Sequence, residues 1–113
     1  MKVRILEPAK ADLINGFHFY EDQEPGAGRY FLNNLYSDIE GLATTCGIHR
    51  QPFGDFHRAI SKKFPYAIFY SVREYEIWVE AVIDCRKNPS WIRSKIRKLE
   101  KNDASASPDD ETI

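Results

Sequence analysis

His57 and Arg58 are adjacent near the middle of the chain, and their side-chain types suggest chemistry most directly. An imidazole can take a proton near neutral pH and a guanidinium can stabilise negative charge, so the pair could act as base and cation in a nuclease. The alternative is a lone exposed histidine next to a surface arginine. The stretch Cys46-Gly47-Ile48-His49 supplies half of a metal site, but no second half follows at zinc-site spacing. We therefore expect neither a metal nor another cofactor.

The charge of the chain excludes a protein whose whole surface attracts nucleic acid. The 113 residues carry 16 Lys and Arg against 17 Asp and Glu, a formal net charge of -1. Residues 1–100 hold 15 of the basic residues and 13 of the acids, whereas residues 101–113 hold one lysine and four acids. We therefore predict a single domain over residues 1–100, an acidic disordered tail over 101–113, and only local basic surfaces.

No apolar run in the sequence approaches the length of a membrane span, and the N-terminus lacks the form of a signal peptide. The two cysteines form no CxxC pair, which favours free thiols in a reducing compartment. We expect a cytoplasmic protein with no membrane partner.

Hydrophobic periodicity predicts an α+β fold. The predicted order is a strand, two helices joined by a short break, a meander of strands and a short final helix. The clearest elements are a strand over Lys2–Leu6, helices starting near Ala9 and Ala27, strands over Tyr66–Val72 and Glu76–Asp84, and a helix over Trp91–Leu99. The two adjacent helices should form an antiparallel hairpin, and so should the last two strands.

The last predicted strand alternates in a way that assigns its side chains to two faces. One face should carry Ile77, Val79, Ala81 and Ile83. The other should carry Trp78 and Val82 together with two acids.

Three motifs, in this order, resemble the RelE/ParE family of bacterial type II toxins. They are Glu24-Pro25-Gly26-Ala27-Gly28-Arg29-Tyr30-Phe31, Phe64-Pro65-Tyr66-Ala67-Ile68-Phe69-Tyr70 and Arg86-Lys87-Asn88-Pro89-Ser90-Trp91. The resemblance covers residues 2–99. It implies a small antiparallel RelE-like sheet backed by a helical hairpin.

The family has two branches, and the resemblance implies different sites for each. The RelE branch cleaves messenger RNA on the ribosome with basic residues of the sheet, which Arg58 and Arg86 match here, and His57 would be the nearby base. The ParE branch binds DNA gyrase without an equivalent catalytic set. Arg58 and Arg86 have a simpler interpretation as sheet-edge cations paired with Asp55 or Asp84.

Several positions depart from the ribonuclease pattern. Ala67 stands where that branch has arginine, and Ile60 stands at a second basic strand position. The position of its C-terminal tyrosine falls on Ile92 or, one residue away, on Trp91, and neither side chain can transfer a proton. This pattern favours the gyrase-binding branch.

The resemblance implies the toxin of a plasmid-stabilisation module that arrests growth, inhibits DNA gyrase and is neutralised by an antitoxin encoded by an adjacent gene. The antitoxin is expected between the helical hairpin and the sheet face that bears Trp78 and Val82, with Arg93, Arg97 and Lys98 pairing with its acids. Two alternatives stay open: a ribosome-dependent mRNA endoribonuclease and an inactive, decayed family member.

Overall fold

The computed structural model describes residues 1–45, 50–53 and 56–105. In chain order the elements are β1 (Lys2–Ile5), α1 (Glu7–Glu21), α2 (Ala27–Thr45), β2 (Arg50–Phe53), β3 (Phe56–Ile60), β4 (Tyr66–Arg73), β5 (Glu76–Asp84) and α3 (Pro89–Ser105). This order agrees with the one predicted from periodicity, and the predicted α+β class is confirmed.

The strands form one mixed sheet in the order β1-β5-β4-β3-β2. Strands β2 to β5 are antiparallel neighbours, as predicted. Strand β1 pairs with β5 in parallel, from Lys2 opposite Glu76 to Ile5 opposite Val79. The prediction of an antiparallel sheet therefore fails for β1. No tight turn joins β1 to β5, so the antiparallel direction that a hairpin imposes does not apply to this pair.

The helical hairpin depends on two glycines where α1 and α2 approach each other. A Cβ atom on Gly16 would lie 2.5 Å from the ring of Phe31. A Cβ atom on Gly28 would lie 2.7 Å from the main-chain oxygen of Phe17. Real Cβ atoms do not tolerate such distances, so the two glycines allow the helices to pack closely.

The start of α2 is capped by a side chain from the end of α1. The carboxylate of Glu21 accepts hydrogen bonds from the backbone N–H of Gly26 at 3.1 Å and of Gly28 at 2.9 Å. These are N–H groups that a helix leaves unpaired at its first turn. The Gly26-Ala27-Gly28 stretch is thus a helix start.

Two apolar clusters cover the two faces of the sheet. The cluster beneath α1 and α2, here called the hairpin core, contains Ala9, Leu13, Phe31, Leu35, Ile39, Leu42, Ala59, Tyr66, Ile68, Tyr70, Ile77, Val79 and Val82. The cluster beneath α3, here called the α3 core, contains Phe56, Ala67, Phe69, Ala81, Ile83, Ile96 and Leu99. The sheet is therefore sandwiched between a larger and a smaller helical layer.

A β-bulge in β5 divides this strand between the two cores. Its register with β4 passes from Phe69 opposite Ala81 to Tyr70 opposite Val79, which leaves Glu80 as an extra residue. Ile77 and Val79 consequently face the hairpin core, whereas Ala81 and Ile83 face the α3 core. The prediction that all four share one face was wrong, because the extra residue shifts the alternation by one position.

Helix α3 is longer than the predicted helix, which ended at Leu99. It begins at Pro89 and continues to Ser105, so the first five residues of the predicted tail are helical. Residues 106–113 lie outside the described part of the chain. None of the helices in the described ranges is both long enough and apolar enough to cross a membrane.

Candidate functional site

A groove of about 260 Å³ lies between α3 and the sheet face that α3 covers. We call it the α3 groove. Its lining includes Arg58, Ala67, Cys85, Lys87, Ile92 and Arg93. Strands β3, β4 and β5 supply its floor, and α3 supplies one wall.

The groove brings together three positions that the family resemblance singled out. Arg58 from β3, Ala67 from β4 and Ile92 from α3 all line it. Three positions at which the sequence was compared with the ribonuclease branch therefore lie together in the fold. Of the three, only Arg58 carries a charge, and the other two add apolar surface to the floor and to the α3 wall.

The electrostatics of the groove are positive. Arg58, Lys87 and Arg93 line it, and no carboxylate is among the described residues of its lining. Desolvation raises the pKa of the Cys85 thiol, and the positive charge of Arg58 lowers it in part. The groove can attract an anion, but the thiol stays protonated near neutral pH.

His57 does not join Arg58 in this groove. The two residues are consecutive on β3, so their side chains point to opposite faces of the sheet. The ring of His57 stacks on that of Tyr70 with centroids 5.1 Å apart and planes at 18°. Since Tyr70 belongs to the hairpin core, His57 lies on the hairpin side of the sheet.

Arg86 is held outside the groove by a carboxylate. Its guanidinium donates to both oxygens of Asp84, at 2.9 Å and 2.8 Å. The guanidinium carbon also lies 5.6 Å from the ring centroid of Phe19 on α1. The hydrogen bonds from Arg86 hold the pKa of Asp84 below its usual range. The predicted pairing of Arg86 with Asp84 is confirmed, whereas Asp55 lies outside the described residues.

The three nuclease candidates therefore do not converge. Arg58 faces α3, His57 faces the hairpin, and Arg86 is bound by Asp84. Cleavage of RNA by its 2′-hydroxyl needs a base and an acid beside the cations. The arrangement can bind an anion, but neither His57 nor Arg86 lies beside Arg58 in the described lining of the groove.

Trp78 and Val82 do not form the predicted antitoxin groove. Trp78 is 2% exposed and Val82 is 3% exposed. Because of the bulge between them, they lie on opposite faces of the sheet. The Trp78 indole donates to Glu76 at 3.0 Å and is covered by the guanidinium of Arg73 at 4.3 Å. The prediction that both residues line one accessible groove was wrong.

The three cations predicted to contact the antitoxin lie on the surface of α3. Arg93, Arg97 and Lys98 are all exposed. Arg93 also lines the α3 groove. Their role in antitoxin binding remains a prediction. The Cys46–His49 half-site lies outside the described residues.

The sequence did not identify a second concavity, between α1 and α3 at the edge of β5. We call it the α1–α3 cleft; its volume is about 290 Å³. At its base, Lys95 of α3 is bonded to Asp12 of α1. Burial is the largest influence on the pKa of Asp12 and raises it, although Lys95 opposes this shift. No spacing rule could have found this contact, because the two residues belong to separate elements far apart in the chain.

Comparison with known proteins supports the fold assignment. No family model matches the chain, and a search of curated proteins found no match. Among solved structures, a chain in the structure titled "Chromosomal ParDE TA system from P. aeruginosa" is similar, with a TM-score of 0.69 and 16% sequence identity. The alignment covers 74% of this chain and 95% of that chain. The likeness shows a common α+β fold.

Proposed function

We propose that the chain is the toxin of a type II toxin–antitoxin pair. It binds DNA gyrase and thereby inhibits it, and it does not cleave RNA. The antitoxin would be a small protein encoded by an adjacent gene. In this proposal the module stabilises a plasmid or chromosomal segment, and the free toxin arrests growth in the cytoplasm.

The observation that carries the proposal is the combination of the fold with the divided set of nuclease candidates. The fold is shared with a chain of a solved ParDE system. Arg58 lies in the α3 groove beside Ala67 and Ile92, apart from His57, and Arg86 is bonded to Asp84. A toxin that acts by protein binding needs no proton-transfer groups, so this arrangement supports the gyrase-binding branch.

The test is induction of the chain alone in a bacterium, followed by assays on the purified protein. We expect growth arrest with filamentation and inhibition of gyrase supercoiling. The Arg58→Ala variant should keep this inhibition, because a toxin that acts by binding has no bond-breaking step in which Arg58 could take part. Normal growth at high expression would instead support an inactive, decayed family member.

One observation favours a second candidate, the ribosome-dependent mRNA endoribonuclease. Arg58, Lys87 and Arg93 surround the α3 groove without a lining carboxylate in its described part. Such a groove suits an RNA phosphate. Codon-specific cleavage by translating ribosomes, abolished by Arg58→Ala, would establish this candidate and contradict the gyrase proposal.

A further inference from the structure

The α1–α3 cleft has two helical walls above the edge of β5. Asp12, Asn15 and Phe19 line it from α1, at spacings that place them on one helix face. Trp91 and Lys95 line it from α3. Lys87 stands at the end of the cleft where the chain enters α3.

Both walls present an aromatic ring to solvent. Phe19 is 47% exposed and Trp91 is 45% exposed. Cations flank both rings: Arg86 lies 5.6 Å from the centroid of Phe19, and Lys87 and Lys95 lie 5.3 Å and 5.4 Å from that of Trp91. Exposed aromatic residues beside arginine and lysine are typical of the anchor positions of protein interfaces.

The charges around the cleft leave a positive excess when Arg86, which pairs with Asp84 but is not part of the lining, is counted. Its two carboxylates are already compensated, since Asp12 is paired with Lys95 and Asp84 with Arg86. Lys87 remains as the additional charge at the rim, next to the first turn of α3. A helix N-terminus carries partial positive charge, which adds to that of Lys87. An incoming carboxylate is therefore attracted to this end of the cleft.

We propose that the α1–α3 cleft binds a segment of a partner protein in which one apolar or aromatic side chain is flanked by Asp or Glu. The side chain enters between Phe19 and Trp91, and the carboxylates pair with Lys87. A volume of about 290 Å³ is small for a whole cofactor or drug-sized ligand but suits one large side chain. If the partner is the antitoxin, that identity rests on the proposed function, whereas the chemistry of the segment does not.

The first experiment selects peptides from a random display library on the full chain. We expect enriched peptides to contain an apolar residue with acidic neighbours. Synthetic tryptophan-free copies of these peptides should shift the emission of Trp91 to shorter wavelength. Trp78 is buried and does not line the cleft, so it should contribute a constant background. The Trp91→Phe variant, which lacks the reporter, should show no shift.

Matched variants test the position of the peptide. Phe19→Ala and Lys87→Glu should each weaken binding about tenfold or more, as expected when an anchor contact is lost. Tyr75→Ala removes a ring that is 82% exposed in the turn between β4 and β5, outside the cleft. Arg29→Glu reverses an exposed charge in the first turn of α2. Both control variants should bind as the unmodified chain does.

Three results would overturn the proposal: no enriched peptide, enriched peptides without acids, or equal binding to all variants. Competition by single-stranded oligothymidine at the same Trp91 signal would also contradict it and indicate a nucleic-acid ligand. These assays do not measure toxicity. The cleft can therefore bind its peptides even if the growth and supercoiling assays contradict the proposed function. Conversely, those assays can support the proposed function even if no peptide binds the cleft.

Discussion

Lys95 on α3 donates a hydrogen bond to Asp12 on α1, across a separation of 83 residues in the chain. The other oxygen of the Asp12 carboxylate accepts the backbone N–H of Val82 at 2.9 Å. Strand β1 ends opposite Val79, so among the described residues the edge of β5 beyond that point has no strand partner. One carboxylate therefore joins α1, the sheet and α3 at the place where the paired sheet edge ends.

Replacing this carboxylate should destabilise the protein. In Asp12→Ala the Val82 N–H loses its acceptor and Lys95 loses its counter-charge, and we expect a loss of about 2–4 kcal/mol in the free energy of unfolding. Asp12→Asn should cost less, because the amide oxygen can still accept from Val82. Denaturant unfolding of the three proteins measures the difference.

The control for this prediction is an ordinary surface pair. Lys10 and Glu7 on α1 lie 3.1 Å apart, and their side chains are 35% and 72% exposed. Lys10→Met should change the free energy of unfolding by no more than about 0.5 kcal/mol. Lys95→Met should cost more stability than Lys10→Met. Equal losses would show that burial of Asp12 does not increase the contribution of its ion pair to stability.

A methyl group at Gly28 should also destabilise the fold. The new Cβ would meet the main-chain oxygen and the ring of Phe17, and a backbone atom cannot move aside cheaply. We expect Gly28→Ala to lower the free energy of unfolding by about 1–3 kcal/mol. Gly41→Ala is the control on the same helix, since its Cβ would have no neighbour within 4 Å. That variant should be neutral or stabilised by up to about 1 kcal/mol, because alanine has the higher helix propensity.

Tyr66 should make the stability depend on alkaline pH. Burial, with a further contribution from the negative charge of Asp84, raises the pKa of Tyr66 from 10.0 to about 12. Between these values the folded state keeps a proton that the unfolded chain has lost. The stability that this group contributes is thus complete below pH 10 and is lost as the pH rises towards 12.

Unfolding midpoints measured below this window and inside it test the Tyr66 prediction. The fall in stability from about pH 9 to about pH 11 should be smaller in Tyr66→Phe than in the unmodified protein. Tyr75→Phe alters a tyrosine that is 82% exposed and should reproduce the unmodified profile. Identical profiles for all three proteins would contradict the assignment.

The exposed cations of α3 give a prediction about the proposed antitoxin. Reversing Arg93, Arg97 and Lys98 to glutamate should weaken its binding, and the loss should shrink as salt screens the charges. Titration calorimetry at low and high ionic strength measures both effects, with Arg29→Glu as a control for a charge reversal outside α3. Unchanged affinity at low salt would remove these residues from the interface.

Local sequence patterns predicted the elements of this fold well, because helical and strand periodicity result from burying one face of each element. They also predicted the pairing of Arg86 with Asp84, which stand two residues apart at the end of β5. Such local patterns could not predict the direction of β1. Its parallel pairing with β5 depends on contacts between the two ends of the domain, which no local spacing encodes.

The candidate sites were less predictable. Glu80 occupies a position where strict alternation also expects a polar residue, so no residue pattern signals the bulge that separates Trp78 from Val82. The family resemblance singled out Arg58, Ala67 and Ile92 separately, and only the structure shows that they line one groove. The opposite directions of the His57 and Arg58 side chains follow from strand geometry. Asp12 and Lys95 were not singled out, because each alone is an ordinary charged residue of an amphipathic helix.

The small size of the α3 core has a consequence for hydrogen exchange. Among its residues with described side chains, helix α3 places Ile96 and Leu99 fully in that core and Ile92 partly, whereas α1 and α2 together place six residues in the hairpin core. Local opening of α3 should therefore require less free energy than global unfolding, and its amides should exchange sooner than those of β4 and β5. Because α3 forms a wall of both the groove and the cleft, one such opening abolishes both sites together. A ligand of either site would slow exchange along the whole helix, and each site would thereby strengthen the other without any contact between their occupants.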